Sequence, residues 1–142
     1  MGPISRSAGV TENDLVYIQG SRYSDPVLGW EQSRMVTDLE LVNSDNFGKR
    51  YENNIFVGDM TSGNLFFLEV NPNRSGLQFD NNPNLANDLV ATNQDEISYI
   101  TVGSGFKGII DIETGPDGDL YILTYSKSDE GQGALYRITN NY

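Results

Sequence analysis

Gly108-Ile109-Ile110-Asp111-Ile112-Glu113-Thr114-Gly115-Pro116-Asp117-Gly118-Asp119-Leu120-Tyr121-Ile122-Leu123-Thr124 is the stretch that decides how the chain folds. Two runs of β-branched and aromatic residues, Ile109 to Ile112 and Leu120 to Thr124, flank Pro116-Asp117-Gly118-Asp119. Pro fixes φ, Asp closes a side-chain bond to its own backbone and Gly accepts positive φ, so the centre is a turn and the whole reads strand, turn, strand. Outward from it, Leu15-Val16-Tyr17-Ile18, Asn54-Ile55-Phe56-Val57, Leu65 to Val70, Ile97 to Val102 and Ala134 to Ile138 are short runs of the same type. Fifteen Asn and fifteen Gly separate them, both residues that tolerate hairpin-turn geometry. No stretch keeps a 3.6-residue period beyond two turns, which leaves Asn84 to Ala91 as one short helix at most. The fold predicted is all-β.

The deciding stretch has a counterpart earlier in the chain. Asp38-Leu39-Glu40, Ile55-Phe56-Val57 and Gly63-Asn64-Leu65-Phe66-Phe67-Leu68 return as Asp111-Ile112-Glu113, Leu120-Tyr121-Ile122 and Gly133-Ala134-Leu135-Tyr136-Arg137-Ile138, at offsets of 73, 65 and 70 residues. Each unit reads as a meander of three or four antiparallel strands, and repetition of such sheets is the mark of a β-propeller. Propellers have about 4–8 blades, so two units predict a partial propeller, a ring completed by oligomerisation, or an open pair of sheets. The expected division is an N-terminal tail with a candidate first strand over residues 1–22, then a blade region over residues 23–142 with repeat units near 35–90 and 97–140. An unclosed propeller leaves uncovered edges, here Val16 and Ile18 at one end and Leu135, Tyr136 and Ile138 at the other, so self-association or pairing with further blades is expected.

Composition narrows the chemistry. Of 142 residues, 20 are Asp or Glu and 9 are Lys or Arg, a net charge of −11, with no His and no Cys. Without His there is no His base, no Ser-His-Asp triad and no His metal ligand; without Cys there is no disulfide, thiolate nucleophile or thiolate zinc site. So acidic a chain repels phosphate backbones, so no nucleic-acid partner is expected. Met1 to Arg6 lacks the apolar core of a signal peptide, and apolar runs stop at four residues, so no membrane association is expected.

The run Asn54-Ile55-Phe56-Val57-Gly58-Asp59 followed by Gly63-Asn64-Leu65, and Gly108 to Glu113 followed by Gly115 to Leu123, resemble the last blades of glucose/sorbosone dehydrogenases. Tyr23-Ser24-Asp25-Pro26-Val27-Leu28 with Trp30, and the closing Gly133 to Ile138, extend the likeness over roughly residues 23 to 139. The resemblance implies a six-bladed propeller that binds pyrroloquinoline quinone and calcium and oxidises sugars, in an extracellular or periplasmic setting. It also implies a His base from an early blade and cationic contacts to the quinone carboxylates. This chain has no His, and the positions where the cations are expected read Thr61, Gly108 and Ile110. Three lost charge-assisted contacts, each worth roughly 1.5–3 kcal/mol, remove the grip on the quinone, so the fold is expected to be kept and the cofactor site not.

Other features have a structural reading beside a functional one. Asp117 and Asp119 are candidate calcium ligands, but the turn reading accounts for Pro116 to Asp119 better. Asn43 to Gly48 looks partly like a calcium loop, yet Phe47 sits where a ligand is needed. Trp30 with Arg34 could stack on a flat ligand, though a lone Trp in a β protein belongs more often to the core. Lys107 could hold an anion; Asp38 and Asp111, recurring at one repeat position, read as pins that bond backbone amides. Asn73-Arg74-Ser75 has the glycosylation pattern, and Asn81 to Asn84 is a polar loop. Three function readings follow: a dehydrogenase-like propeller segment with a structural or binding role and no catalysis of its own, with no catalytic residue assigned; the C-terminal part of a quinone-dependent sugar dehydrogenase whose base and cofactor contacts come from other blades; and a stand-alone carbohydrate- or calcium-binding module.

Overall fold

The computed structural model describes residues 19–20, 24–126 and 133–140. The candidate strand at residues 15–18, and with it most of the expected tail, lies outside the described residues. Strand β1 is Gly29–Trp30, β2 Val36–Val42, β3 Asn54–Asp59 and β4 Leu65–Leu68; helix α1 is Pro83–Asp88, β5 Val90–Ala91, α2 Gln94–Ile100, β6 Thr101–Gly103, β7 Gly108–Thr114, β8 Leu120–Tyr125 and β9 Ala134–Ile138. These form a four-stranded antiparallel sheet in the order β2-β3-β4-β6, a three-stranded antiparallel meander β7-β8-β9, and a short parallel pair β1-β5. The protein is mostly antiparallel β, as predicted. The β1-β5 pair is an addition the sequence did not suggest, and β6, grouped by sequence with the second unit, pairs with β4 of the first sheet.

The repeat is structural as well as sequential. Leu39 pairs with Val57 as Ile112 pairs with Ile122, and Phe56 pairs with Phe67 as Tyr121 pairs with Arg137. The three sequence offsets therefore hold residue for residue in the ladders. Each first strand carries a bulge at the same place, between Val36 and Asp38 in one sheet and between Ile109 and Asp111 in the other. A bulge adds an unpaired residue and increases the local twist.

The two sheets stack. Val42, Phe56, Leu65 and Phe67 of the first face Ile109, Ile112, Leu120 and Ile122 of the second, all buried. At Gly58 the sheets come so near that a β-carbon would lie 2.4 Å from Ile109 Cγ2. The other face of β3 and β4, with Val57, Phe66 and Leu68, is covered by Phe79, Leu85, Ala91, Ile97 and Ile100 of the β4–β6 crossover. Burial on both faces explains why β3 and β4 read as continuous apolar runs, not alternating ones.

Two helices stand where one was expected. α1 begins at Pro83, its first-turn amide at Leu85 bonded by the Asn82 side chain, and ends at Leu89 in the left-handed region (φ 58°). Ile97 to Val102, predicted as a strand, is α2 through Ile100 and β6 only from Thr101. The reason is local: the Asn93 side chain accepts from Glu96 N, the Glu96 carboxylate accepts from Thr92 N and Oγ1, and Ile97 and Ile100 fall on one helical face against the core.

Candidate functional site

The three positions where the resemblance expects cations sit at one end of the sheet pair. The β3–β4 turn, residues 59–64, holds Thr61, and it lies against the entry to β7 through a bond from Phe106 N to Gly63 O at 3.2 Å. Gly63 has φ +67°, and a β-carbon there would meet the Lys107 carbonyl oxygen. Only Gly permits this approach.

The residues present do not fit the quinone. Thr61 is engaged on both sides: its amide donates to Asp59 Oδ1 at 2.8 Å, and its hydroxyl oxygen accepts from Met35 N at 2.9 Å. Gly108 is buried, and a β-carbon there would lie 2.9 Å from the Tyr125 carbonyl oxygen and 3.0 Å from Met60 Cγ, so no side chain can project from it. Ile110, the bulge residue of β7, is apolar and partly exposed. Nearby cations are occupied. Arg34 donates to Asp59 Oδ2 at 2.9 Å and to Ser62 Oγ at 3.2 Å, and Lys107, at φ 39°, makes interactions within the chain.

Asp59 is the polar hub of this end. It is fully buried, and burial alone would raise its pKa; hydrogen bonds from Ser62 and Thr61 and the Arg34 guanidinium outweigh that and hold it below the ordinary carboxylate value. A buried carboxylate held by three donors, one of them a cation, fixes the turn.

Trp30 and Arg34 stack inside the protein, not on a surface. The Trp30 ring lies 5.7 Å from the Phe66 ring and the Arg34 guanidinium 5.6 Å from it. Trp30 Nε1 and Arg34 Nε are buried without hydrogen-bond partners. A hollow of about 100 Å³ adjoins Arg34, lined by Gln32, Thr92, Asn93 and Gln94 among others.

At the opposite end, Asp117 and Asp119 both meet Arg137, which lies 2.9 Å from Asp117 Oδ2 and 2.8 Å from Asp119 Oδ2. The Tyr121 hydroxyl donates to Asp117 at 2.9 Å, which lowers the Asp117 pKa and raises that of Tyr121. The turn closes through Gly118 N to Gly115 O at 2.9 Å, with Gly118 at φ +79°. The Asn43–Gly48 loop packs on it: Asn46 Nδ2 donates to Asp117 O at 2.7 Å. Among the described residues no group of three or more His, Cys, Asp or Glu side chains is arranged to hold a metal ion. Between these ends a cavity of about 290 Å³ opens between the sheets, lined by Phe47, Tyr51, Phe56, Leu65, Leu120 and Ile138. Asn82 caps α1, and Arg74, at φ 56°, donates to Asn53 O.

Of Asp38 and Asp111, both expected to pin backbone amides, the Asp111 carboxylate has no hydrogen bond among the described residues, whereas Asp38 is such a pin, its carboxylate accepting from Ile112 N. Glu40, which accepts from Thr114 N, and Thr37, whose hydroxyl donates to Ile109 O at 2.6 Å, do the same work and were not singled out. The repeat at 73 residues carried the signal for Glu40. The Arg34–Asp59 pair had none, because its partners lie 25 residues apart with no motif joining them.

No family model matches the chain, and no solved structure matches it. Among curated proteins, the aldose sugar dehydrogenase YliI of Escherichia coli (strain K12) is 29% identical over 114 residues, covering 80% of this chain and 24% of that protein. The chain therefore spans about a quarter of the length of the relative it matches.

Proposed function

We propose that this chain is a two-sheet propeller segment of the glucose/sorbosone dehydrogenase kind that serves a structural or binding role and does not hold the quinone with its own side chains. The likeness to an aldose sugar dehydrogenase supports the kinship, and the equal registers of the two sheets support the blade reading. One observation carries the loss of the cofactor site: Gly108 is walled in by Tyr125 and Met60, so an anchoring cation cannot be projected there. Thr61 and Ile110 supply no charge either. Calcium has no assigned ligands in this reading, since Asp117 and Asp119 are both engaged by Arg137, which offsets one of their two negative charges.

A second reading has its own support. The matched relative is about four times longer than the matched region, so base and cofactor contacts in a quinone-dependent sugar dehydrogenase would come from other blades. Reconstitution of the chain alone tests the first. With quinone, Ca²⁺ and a redox dye, the chain alone is expected to give no aldose-dependent dye reduction; turnover with glucose or another aldose would overturn the non-catalytic reading.

A further inference from the structure

The bonds joining the two sheets imply a third. Asp38 and Glu40 of β2 accept hydrogen bonds from the outward amides of the β7 edge, Ile112 N at 2.6 Å and Thr114 N at 2.9 Å. An edge strand presents such amides at every second residue, and a carboxylate makes each bond charge-assisted. β7 carries the same pair at the same register, Asp111 and Glu113, 73 positions on and beside the same bulge. Both are exposed, and neither carboxylate has a hydrogen bond or ion pair among the described residues.

The complementary donors lie at the far end of the same chain. The repeat equivalents of Ile112 and Thr114 in β2 are Leu39 and Leu41, which hold the same ladder positions, so their amides point away from β3 as those of Ile112 and Thr114 point away from β8. Both residues are exposed, 58% and 45%. The apolar surfaces match in the same sense. Leu65 is buried between the sheets at 3% exposure, while its repeat equivalent Leu135 is 66% exposed on the outer face. Met35 and Val36 flank the open edge of β2.

We infer that a second copy of this chain docks head to tail on the outer face of the β7-β8-β9 sheet, with Asp111 and Glu113 accepting from Leu39 N and Leu41 N of that copy. This rests on the propeller-segment reading and names its partner. The contact is heterologous and repeats around a ring; two to four copies would supply the roughly 4–8 sheets of a propeller. Charge complementarity and apolar burial act together, as they do between the two sheets within one chain.

Light scattering across a concentration series tests it. The wild type is expected to associate. The double variant Asp111→Ala/Glu113→Ala should weaken association at least tenfold, and Leu135→Lys should weaken it too. Leu39→Pro removes one donor at an edge position where the strand's own ladder does not use it, with the same result. Mixing the Asp111→Ala/Glu113→Ala chain with the Leu39→Pro chain should restore a dimer that grows no further, because each supplies the surface the other lacks. A monomeric wild type, or association unchanged in every variant, overturns the docking. The underlying reading is checked separately by amide exchange: protection at Ile112 and Thr114 that falls in Asp38→Ala keeps the two-sheet account, whereas no protection in the wild type removes that account itself.

Discussion

Replacing Gly58 with Ala probes the closest approach of the two sheets. In an ordinary strand, Ala is better than Gly by roughly 0.5–1 kcal/mol, because Gly has more freedom to lose on folding. Here the new β-carbon would lie 2.4 Å from Ile109 Cγ2, 3.1 Å from Ile109 Cβ and 3.2 Å from Ile112 Cδ1. Ile109 is fully buried and β-branched, so the clash is with a stiff part of the side chain and not with a free end. Overpacking costs about 1–3 kcal/mol, and a contact this short with a stiff side chain falls in the upper half of that range, which leaves a net destabilisation of about 1–2.5 kcal/mol. Urea denaturation reads it as a lower midpoint at unchanged slope. Ile109→Ala alone should cost about 2–5 kcal/mol by opening a cavity. Combined with Gly58→Ala it should cost less than the sum by about 1–2 kcal/mol, since the new methyl group then fills space. A Gly58→Ala protein as stable as the wild type, with additive behaviour in the double variant, would refute the close packing of the sheets.

Further predictions concern the two ends of the sheet pair. The Asp59 carboxyl titrates below its ordinary value of 3.8, so its stabilisation is present above that pH and is lost as pH falls through the folded value. Arg34→Met should lower stability at neutral pH by about 2–3 kcal/mol and flatten the acid limb of the stability profile; an unchanged profile would count against the Arg34–Asp59 hub. At the other end, Arg137 engages both Asp117 and Asp119 and offsets one of their two charges. Ca²⁺ should therefore leave the wild-type melting temperature in place and raise it only in Arg137→Gln; a wild-type rise that disappears in Asp119→Asn would restore those carboxylates as a metal site.

Much of the architecture was legible because it repeats. Strand spacing and the offsets at Asp38/Asp111, Ile55/Leu120 and Leu65/Leu135 marked β2-β3-β4 and β7-β8-β9 as equivalent antiparallel meanders, while β6 was grouped with the wrong sheet. The α2 helix was misread as a strand because Ile97, Tyr99, Ile100 and Val102 have high strand propensity; the Asn93 cap with Glu96 three residues on was the stronger signal. The bulges were not legible, because a bulge changes pairing without requiring a particular residue in a non-glycine form. That Thr61, Gly108 and Ile110 carry no cation was legible in the sequence, but how the fold surrounds them was not. That Gly108 faces the Tyr125 carbonyl and Met60 is a long-range contact that no local pattern announces.

The function proposed here is that of a propeller segment akin to sugar dehydrogenases that has no grip on the quinone. Calorimetric titration of pyrroloquinoline quinone into the folded chain with Ca²⁺ tests this most directly. No saturable binding at micromolar concentrations is the expected result; saturable binding that weakens when a residue beside Thr61 or Gly108 is changed would contradict it.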